Sequence, residues 1–118
     1  MDFELMIHRQ AEIDLEEIVV YYNKIRENLG FEVYEEIYSY IQEIKSRPFS
    51  FRKEIEQVRV CFTKRFHFGI YFLIVEELSK IWIIGAINAK EDPNKLLRRL
   101  TIVNIPKNDC YHTLCQRL

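Results

Sequence analysis

The sequence predicts an α+β domain, because the period of its apolar residues changes from one half of the chain to the other. A short apolar-rich stretch at residues 3–8 is followed by a spacing of three and four from Ala11 onward, which is typical of amphipathic helices. After Pro48 the spacing changes to the two-residue alternation of β-strands. We therefore expect an N-terminal strand, an antiparallel two-helix hairpin and then a three-stranded antiparallel sheet, with the helices packed on one face.

Two helical stripes support the predicted hairpin. The first ends at Leu29, and Gly30 is predicted to cap this helix because glycine adopts the left-handed conformation easily. The second ends before Pro48, since proline disfavours helical geometry in the residue before it. Neither helix can bury its stripe alone, so the two are expected to fold back on each other. The stripes are Ala11, Leu15, Ile18, Tyr22, Ile25 and Leu29, then Tyr34, Ile37, Ile41 and Ile44; the charged residues expected mostly to face water are Asp14, Glu16, Glu17, Lys24 and Glu27.

Three strands are predicted in the second half of the chain. In the first of them, Arg59 and Cys61 are expected on the face opposite Val58 and Val60. The second is apolar on both faces beyond Gly69, as expected for a central strand. The predicted ranges are 55–63, 66–75 and 81–89, with a loop at residues 48–53, a turn at residues 76–80 and a short basic helix at residues 95–100.

Length and composition bound the domain organisation. A chain of 118 residues with 48% hydrophobic residues is large enough for one packed core. Residues 1–100 are expected to form that domain, and residues 101–118, which show no clear period, a C-terminal extension of unknown role. The chain shows no apolar run of about 18 residues and no basic secretory leader, and its odd number of cysteines suits a reducing compartment. We therefore expect a cytoplasmic protein that does not engage a membrane.

Charge is distributed unevenly along the chain. The net charge is −1, but residues 1–47 carry 11 acidic and 5 basic side chains, whereas residues 48–100 carry 6 acidic and 10 basic. The near-neutral total argues against broad binding to nucleic acid, while the basic second half allows a local patch for an anion or a target. The alternative for such cations is a solvated sheet face or pairing with glutamates. The candidates for the patch are Arg59, Lys64, Arg65 and Lys90.

Five short motifs follow one another along the chain. They are AEIDLEEI at residues 11–18 with Tyr21-Tyr22, the joint Leu29-Gly30-Phe31, Pro48 after the second helix, Val58-Arg59 with KRFHF at residues 64–68 and IYF at residues 70–72, and AINAKEDP at residues 86–93. In this order and register they resemble the RelE/ParE-type toxins of bacterial type II toxin–antitoxin systems. The resemblance covers residues 3–99 and implies the α+β fold expected above.

The resemblance also implies a function, namely a toxin that a cognate antitoxin neutralises. Toxins of the RelE-like branch cleave mRNA on the ribosome, and toxins of the ParE-like branch inhibit DNA gyrase by binding. Asn88 stands where the family has a histidine, and an asparagine side chain cannot transfer a proton at neutral pH. We therefore favour a ParE-like growth inhibitor of the plasmid-stabilising kind, which is not an enzyme. The alternatives are a ribosome-dependent mRNA endoribonuclease and a decayed toxin that keeps only antitoxin binding.

An endoribonuclease would need an acid, a base and cations around the phosphate. His67, with Arg65 and Arg59, is the candidate set, and the competing interpretation of His67 is a partly exposed strand residue. Cys110 and Cys115 have a C-x4-C spacing without a second ligand pair, so no metal is predicted. No cofactor is predicted. The expected partners are the antitoxin and either DNA gyrase or the ribosome with its mRNA.

Overall fold

The computed structural model describes residues 3–89, which form two helices and one five-stranded mixed sheet. The sheet order is β1-β5-β4-β3-β2; β1 runs parallel to β5, and all other neighbours are antiparallel. The predictions for Lys90, residues 95–100 and residues 101–118 lie outside the described residues. The elements are β1 (Glu4–Ile7), α1 (Arg9–Ile25), α2 (Leu29–Ser46), β2 (Lys53–Ile55), β3 (Val58–Phe62), β4 (Phe68–Val75) and β5 (Lys80–Asn88), with single 3₁₀ turns at Pro48–Ser50 and Glu76–Leu78.

The sheet has more strands than the three expected in one antiparallel unit. The N-terminal strand joins it, because Leu5 pairs with Ile81 and the backbone N–H of His8 donates to the carbonyl of Ile83 at 2.8 Å. The predicted strand at residues 55–63 begins too early: its main part is β3, whereas Ile55 belongs to β2, which pairs with β3 as a hairpin. Glu56 adopts a left-handed conformation with φ of 50°, which turns the chain between β2 and β3. The prediction of an all-antiparallel three-stranded sheet is therefore wrong in these two respects.

Both helices pack against one face of the sheet, as the stripes predict, but Ile25 and Tyr34 of the stripes are exposed and not part of the core. Ile37, Ile41 and Ile44 of α2 are almost fully buried, and they share a core with residues of α1 and the sheet. A second apolar cluster, made by β3, β4 and β5, contains side chains of the opposite face. The first cluster includes Ala11, Leu15, Val33, Cys61, Ile70, Phe72, Ile81 and Ile83, and the second includes Val58, Val60, Leu73, Val75, Ile84 and Ile87. No helix within residues 3–89 is long and apolar enough to cross a lipid bilayer.

Gly30 does not cap α1, so that prediction is wrong. α1 ends at Ile25, the left-handed residue of the joint is Asn28 with φ of 66°, and Gly30 lies in the first turn of α2. Its role is close approach, because a Cβ atom at this position would lie 2.3 Å from the carbonyl oxygen of Val19 on α1. The Gly30 N–H also donates to Oδ1 of Asn23 at 2.8 Å, which satisfies one of the free amides at the start of α2.

Asp14 is buried, although the pattern placed it among the residues expected mostly to face water. Its side chain is 6% exposed, and Oδ2 accepts a hydrogen bond from the backbone N–H of Ala86 at 3.1 Å. β1 ends opposite Ile83, so within residues 3–89 no strand lies beside this edge of β5 beyond that point. The Asp14 carboxylate supplies an acceptor for that edge and fixes α1 on the sheet.

Candidate functional site

A depression lies between the C-terminal end of α2, the Pro48–Ser50 turn and β3. It has a volume of about 480 Å³. Three cations, Arg47, Arg52 and Lys64, line it together with the carboxylate of Glu43. The other residues of its lining are Tyr40, Ser50, Phe51, Val60, Cys61 and Phe62. The depression therefore combines positive charge with aromatic surface.

Arginine side chains lie over phenylalanine rings in and beside this depression. The guanidinium carbon lies 5.4 to 5.7 Å from the ring centroid in each case, within the range of a cation–π interaction. Two of these rings, those of Phe49 and Phe62, are about half exposed. The pairs are Arg47 with Phe51, Arg52 with Phe62 and Arg59 with Phe49. They form a surface that can receive an anionic or an aromatic partner.

The charges of the depression are partly balanced by neighbouring carboxylates. Arg47 forms an ion pair with Glu43 one helical turn earlier, and Arg52 pairs with Glu54 at 3.2 Å. All four side chains are substantially exposed, so each ion pair is screened by water and is easily exchanged for a ligand. Lys64 forms no ion pair within residues 3–89.

Arg59 is held by the loop before β2. Its Nη1 donates to the carbonyl oxygen of Phe51 at 2.6 Å, and its guanidinium covers the ring of Phe49. The side chain is half-buried and is absent from the described lining of the depression. In this position it orders the turn that carries the two phenylalanines.

Arg65 is held by α2. Its Nη2 donates to Oε1 of Glu32 at 2.9 Å, and its backbone N–H donates to Oε2 of Glu36 at 2.8 Å. Arg26 approaches the other oxygen of Glu32 at 3.1 Å. The hydrogen bond from Arg65, followed by that from Arg26, lowers the pKa of Glu32 below its ordinary value. Arg65 thus ties the turn between β3 and β4 to the start of α2.

The structure separates the remaining predicted site residues. Lys64 lines the depression, whereas His67 is an exposed turn residue with φ of 58°, whose carbonyl accepts from the Ala89 N–H at 2.8 Å. Lys90 lies outside the described residues. The structure therefore brings Lys64 together with Arg47 and Arg52, and it directs Arg59 and Arg65 to other partners.

Arg47 and Arg52 were not predicted as site residues. The available signal was the segment RPFSFR at residues 47–52, in which two arginines enclose two phenylalanines within six positions. Such a spacing places cations and aromatic rings on one short loop, which is a recognised way to build an anion-binding surface.

Cys61 borders the depression as a free thiol. Burial raises its pKa to about 11, and the nearby Glu43 carboxylate adds to the increase. The thiol is therefore protonated at neutral pH and does not act as a nucleophile there. Within residues 3–89, no group of three or more His, Cys, Asp and Glu side chains is arranged to hold a metal ion.

The solved structures similar to this fold include a chain of a toxin–antitoxin system and a free toxin. A chain of the chromosomal ParDE TA system from P. aeruginosa aligns with a TM-score of 0.67 and 17% identity, covering 75% of this chain and 97% of that one. The E. coli toxin RelE, a mutant in the free state, aligns with a TM-score of 0.53 and 16% identity, covering 76% of this chain and 86% of that one. No protein-family model matches the chain, and no curated protein matches it. The described domain has the fold that RelE/ParE-type toxins share.

Proposed function

We propose that this protein is the toxin of a type II toxin–antitoxin pair and that a cognate antitoxin neutralises it. The single observation that carries the proposal is the fold likeness to the P. aeruginosa ParDE chain, which is covered over 97% of its length. The five motifs along residues 3–99 support the same conclusion independently of the fold. Because one fold can host several functions, the mode of action within this class is argued from the chemistry of the site.

Within this class we propose the ParE-like mode, in which the toxin binds a target such as DNA gyrase. The depression offers cations and aromatic rings, which suit binding, but its cysteine thiol is protonated at neutral pH. His67 is exposed on a turn and is not part of the described lining. Asn88, at the end of β5, cannot act as an acid or a base at neutral pH. We assign target binding to Lys64 with Arg47 and Arg52.

The second candidate function is a ribosome-dependent mRNA endoribonuclease. One observation favours it: three cations border a single depression beside exposed phenylalanine rings, and rings of this kind stack on unpaired bases while cations contact phosphates. In that mechanism His67 would carry the proton, and Arg59, Lys64, Arg65 and Lys90 would surround the phosphate. Arg65 would first have to leave Glu32.

Induced expression in bacteria tests the toxin assignment. We expect growth arrest when the chain is expressed alone and normal growth when the product of the adjacent reading frame is expressed with it. Persistent growth without that product, or arrest that it does not relieve, contradicts the assignment. DNA supercoiling by gyrase then separates the two modes. Inhibition of gyrase supports the ParE-like mode, whereas codon-associated mRNA cuts that disappear in His67→Ala support the endoribonuclease.

A further inference from the structure

One edge of β3 is only partly paired. β2 lies beside the first part of β3, and this pairing ends where the backbone N–H of Val60 donates to the carbonyl of Arg52 at 3.1 Å. Before β2 the chain forms the turn Pro48–Ser50, so within residues 3–89 no strand lies beside Phe62 on this edge. The edge of β3 at Phe62 is therefore open.

The backbone of Phe62 is directed to this open edge. In an antiparallel sheet, the N–H and C=O groups of successive residues point alternately to the two neighbouring strands. Thr63 donates its N–H to the carbonyl of Phe68 on β4 at 2.8 Å, whereas Val60 donates to the β2 side. Phe62, one residue before Thr63, therefore directs its N–H and C=O to the β2 side, where no described strand receives them. Unpaired strand groups of this kind are a template for pairing with another extended segment.

The depression between α2 and β3 lies at this edge. Phe62 is part of its lining, together with the cations Arg47, Arg52 and Lys64. The described lining contains these three cations and one carboxylate, that of Glu43, so it is positively charged. An extended segment that continued the sheet here would place its own side chains among these cations, since the side chains of a strand project to both faces.

The chemistry of the lining indicates an acidic partner. Both arginines already bind carboxylates of this chain, because Arg47 pairs with Glu43, and Arg52 pairs with Glu54 at 3.2 Å. Guanidinium groups match the planar geometry of carboxylates, and exposed ion pairs of this kind exchange at small cost. Lys64 forms no ion pair within residues 3–89 and adds a third charge for the partner.

A polypeptide fits this edge better than a nucleic acid does. The N–H and C=O groups of an open strand edge match those of an extended polypeptide, whereas a sugar–phosphate backbone has no N–H donor for the Phe62 carbonyl. The guanidinium carbon of Arg52 also lies 5.5 Å from the ring centroid of Phe62. This contact covers one face of the ring, which leaves less of it for the stacking of a base.

We propose that the depression binds an extended acidic segment of the target protein, which pairs with β3 at Phe62 and continues the line of β2. The Asp or Glu side chains of this segment bind Arg47, Arg52 and Lys64. This inference rests on the proposed function, since the target of the toxin is the partner. It adds the conformation of the target segment, the sign of its charge and the strand that receives it.

The test uses a synthetic peptide of about six residues that alternates valine and glutamate, titrated into the purified full chain at physiological salt and followed by NMR. We expect it to bind at least about tenfold more tightly than a valine–lysine counterpart and to slow hydrogen exchange at the Phe62 amide. Arg52→Glu/Lys64→Glu is expected to lower the affinity at least about tenfold. Lys24→Glu/Lys45→Glu is the matched control, with the same change of net charge at exposed residues outside the lining, and should stay within about twofold.

A second pair of variants separates backbone pairing from attraction between charges. Phe62→Pro removes the N–H of the open edge, and proline is tolerated at an edge position whose N–H bonds to no neighbouring strand. Phe62→Ala removes the same ring but keeps the N–H. We expect Phe62→Pro to bind the acidic peptide at least about fivefold more weakly than Phe62→Ala, with circular dichroism confirming that both are folded. If Phe62→Pro does not fold, amide exchange at Phe62 in the wild type decides the same point.

The inference is wrong if the acidic peptide does not bind, or if the two Phe62 variants bind it equally and exchange at the Phe62 amide is unchanged. Tighter binding of oligodeoxythymidylate, lost in Arg52→Glu/Lys64→Glu, would assign the depression to nucleic acid and overturn the inference. A dimer that this variant dissociates would assign it to a second copy, with the same consequence. Growth arrest upon expression reports on the toxin assignment separately. Arrest without peptide binding leaves the proposed function standing. Without arrest, the proposed function fails and with it the identity of the partner, while the peptide still decides whether β3 receives an acidic strand.

Discussion

The carboxylate of Asp14 on α1 accepts a hydrogen bond from the backbone N–H of Ala86 on β5, at 3.1 Å. The two residues are 72 positions apart in the sequence and both are buried. The bond therefore links the helical hairpin to an inner strand of the sheet, between residues that are far apart in the sequence. It also gives the β5 edge beyond Ile83 an acceptor at the point where β1 has ended.

Loss of this carboxylate is expected to destabilise the domain. Asp14→Ala leaves the Ala86 N–H without its acceptor inside the protein, which costs about 1–3 kcal/mol. Asp14→Asn retains an acceptor oxygen and is expected to cost less. Urea unfolding checks both values. Glu17→Ala, on the exposed side of the same helix, is the control and is expected to change the free energy of unfolding by at most about 0.5 kcal/mol. Equal effects of Asp14→Ala and Glu17→Ala would contradict the role of the bond.

The close approach of the two helices at Gly30 predicts a second sensitive position. In Gly30→Ala, the new Cβ atom would lie 2.3 Å from the Val19 carbonyl oxygen, so a helix has to move. We expect a loss of about 1–3 kcal/mol in the free energy of unfolding, even though alanine is the better helix former. Thermal unfolding measures it. The control is Glu35→Ala, at an exposed position of the same helix, which should leave the melting temperature almost unchanged. An unchanged melting temperature for Gly30→Ala as well would show that the two helices are not in close contact at Gly30.

The sequence predicted the helical hairpin well because its signal is local. Ile37, Ile41 and Ile44 recur within one helix, and burial of that stripe follows from spacing alone. The position of β1 beside β5 depends on pairing between distant segments, for which spacing within one segment carries no signal. The expectation that Asp14 faces water was wrong for the same reason, since its role as a hydrogen-bond acceptor depends on where β1 ends. Glu56 turns the chain inside an apparently continuous strand, and a left-handed glutamate has no strong sequence signature.

The candidate site was predictable only in part. Sequence identified the basic character of the region and included Lys64, because cations can be counted without a structure. It did not identify which cations share a depression. Arg65 pairs with Glu32, which is 33 positions away, and only the tertiary fold determines that contact. The association of Lys64 with Arg47 and Arg52 likewise requires α2 to end beside β3.

The ion pairs of Glu32 predict a specific dependence of stability on pH. Arg65 and then Arg26 lower the pKa of Glu32 in the folded state below its ordinary value of 4.5. The stabilisation is therefore fully present above the unfolded-state pKa and is lost as the pH falls through the folded-state pKa. Melting temperatures measured from pH 7 to pH 3 for the wild type and Glu32→Gln should differ above pH 4.5 and converge below it. The control Glu27→Gln should run parallel to the wild type, and a difference for Glu32→Gln that does not become smaller between pH 4.5 and pH 3 would contradict the assignment.

The buried thiol of Cys61 predicts low reactivity. Its pKa of about 11 leaves little thiolate at pH 7.5, and burial blocks access by reagents. In a Cys110→Ser/Cys115→Ser background, a thiol reagent such as dithionitrobenzoate is expected to react at least about tenfold more slowly with the folded protein than with the unfolded protein. Equal rates in the two states would show that the thiol is accessible from the depression.

Removal of the cations around the depression is expected to reduce toxicity without unfolding the protein. Arg47, Arg52 and Lys64 are exposed, and their ion pairs contribute little to stability. Replacing all three by alanine removes the charge and two of the cation–π contacts that the proposed target-binding surface depends on. The bacterial growth rate after induction measures the effect, and antitoxin binding reports whether the fold is intact.

The matched control for this triple variant is Lys24→Ala/Lys45→Ala/Lys80→Ala, which removes the same charge elsewhere on the described surface. This control is read for growth arrest alone. We expect the control to arrest growth like the wild type and the depression variant to allow growth at near-normal rate while it still binds the antitoxin. Growth arrest by both variants would show that the depression is not part of the target-binding surface. Growth with both would show that overall positive charge matters, because long-range attraction to an anionic target does not depend on one surface.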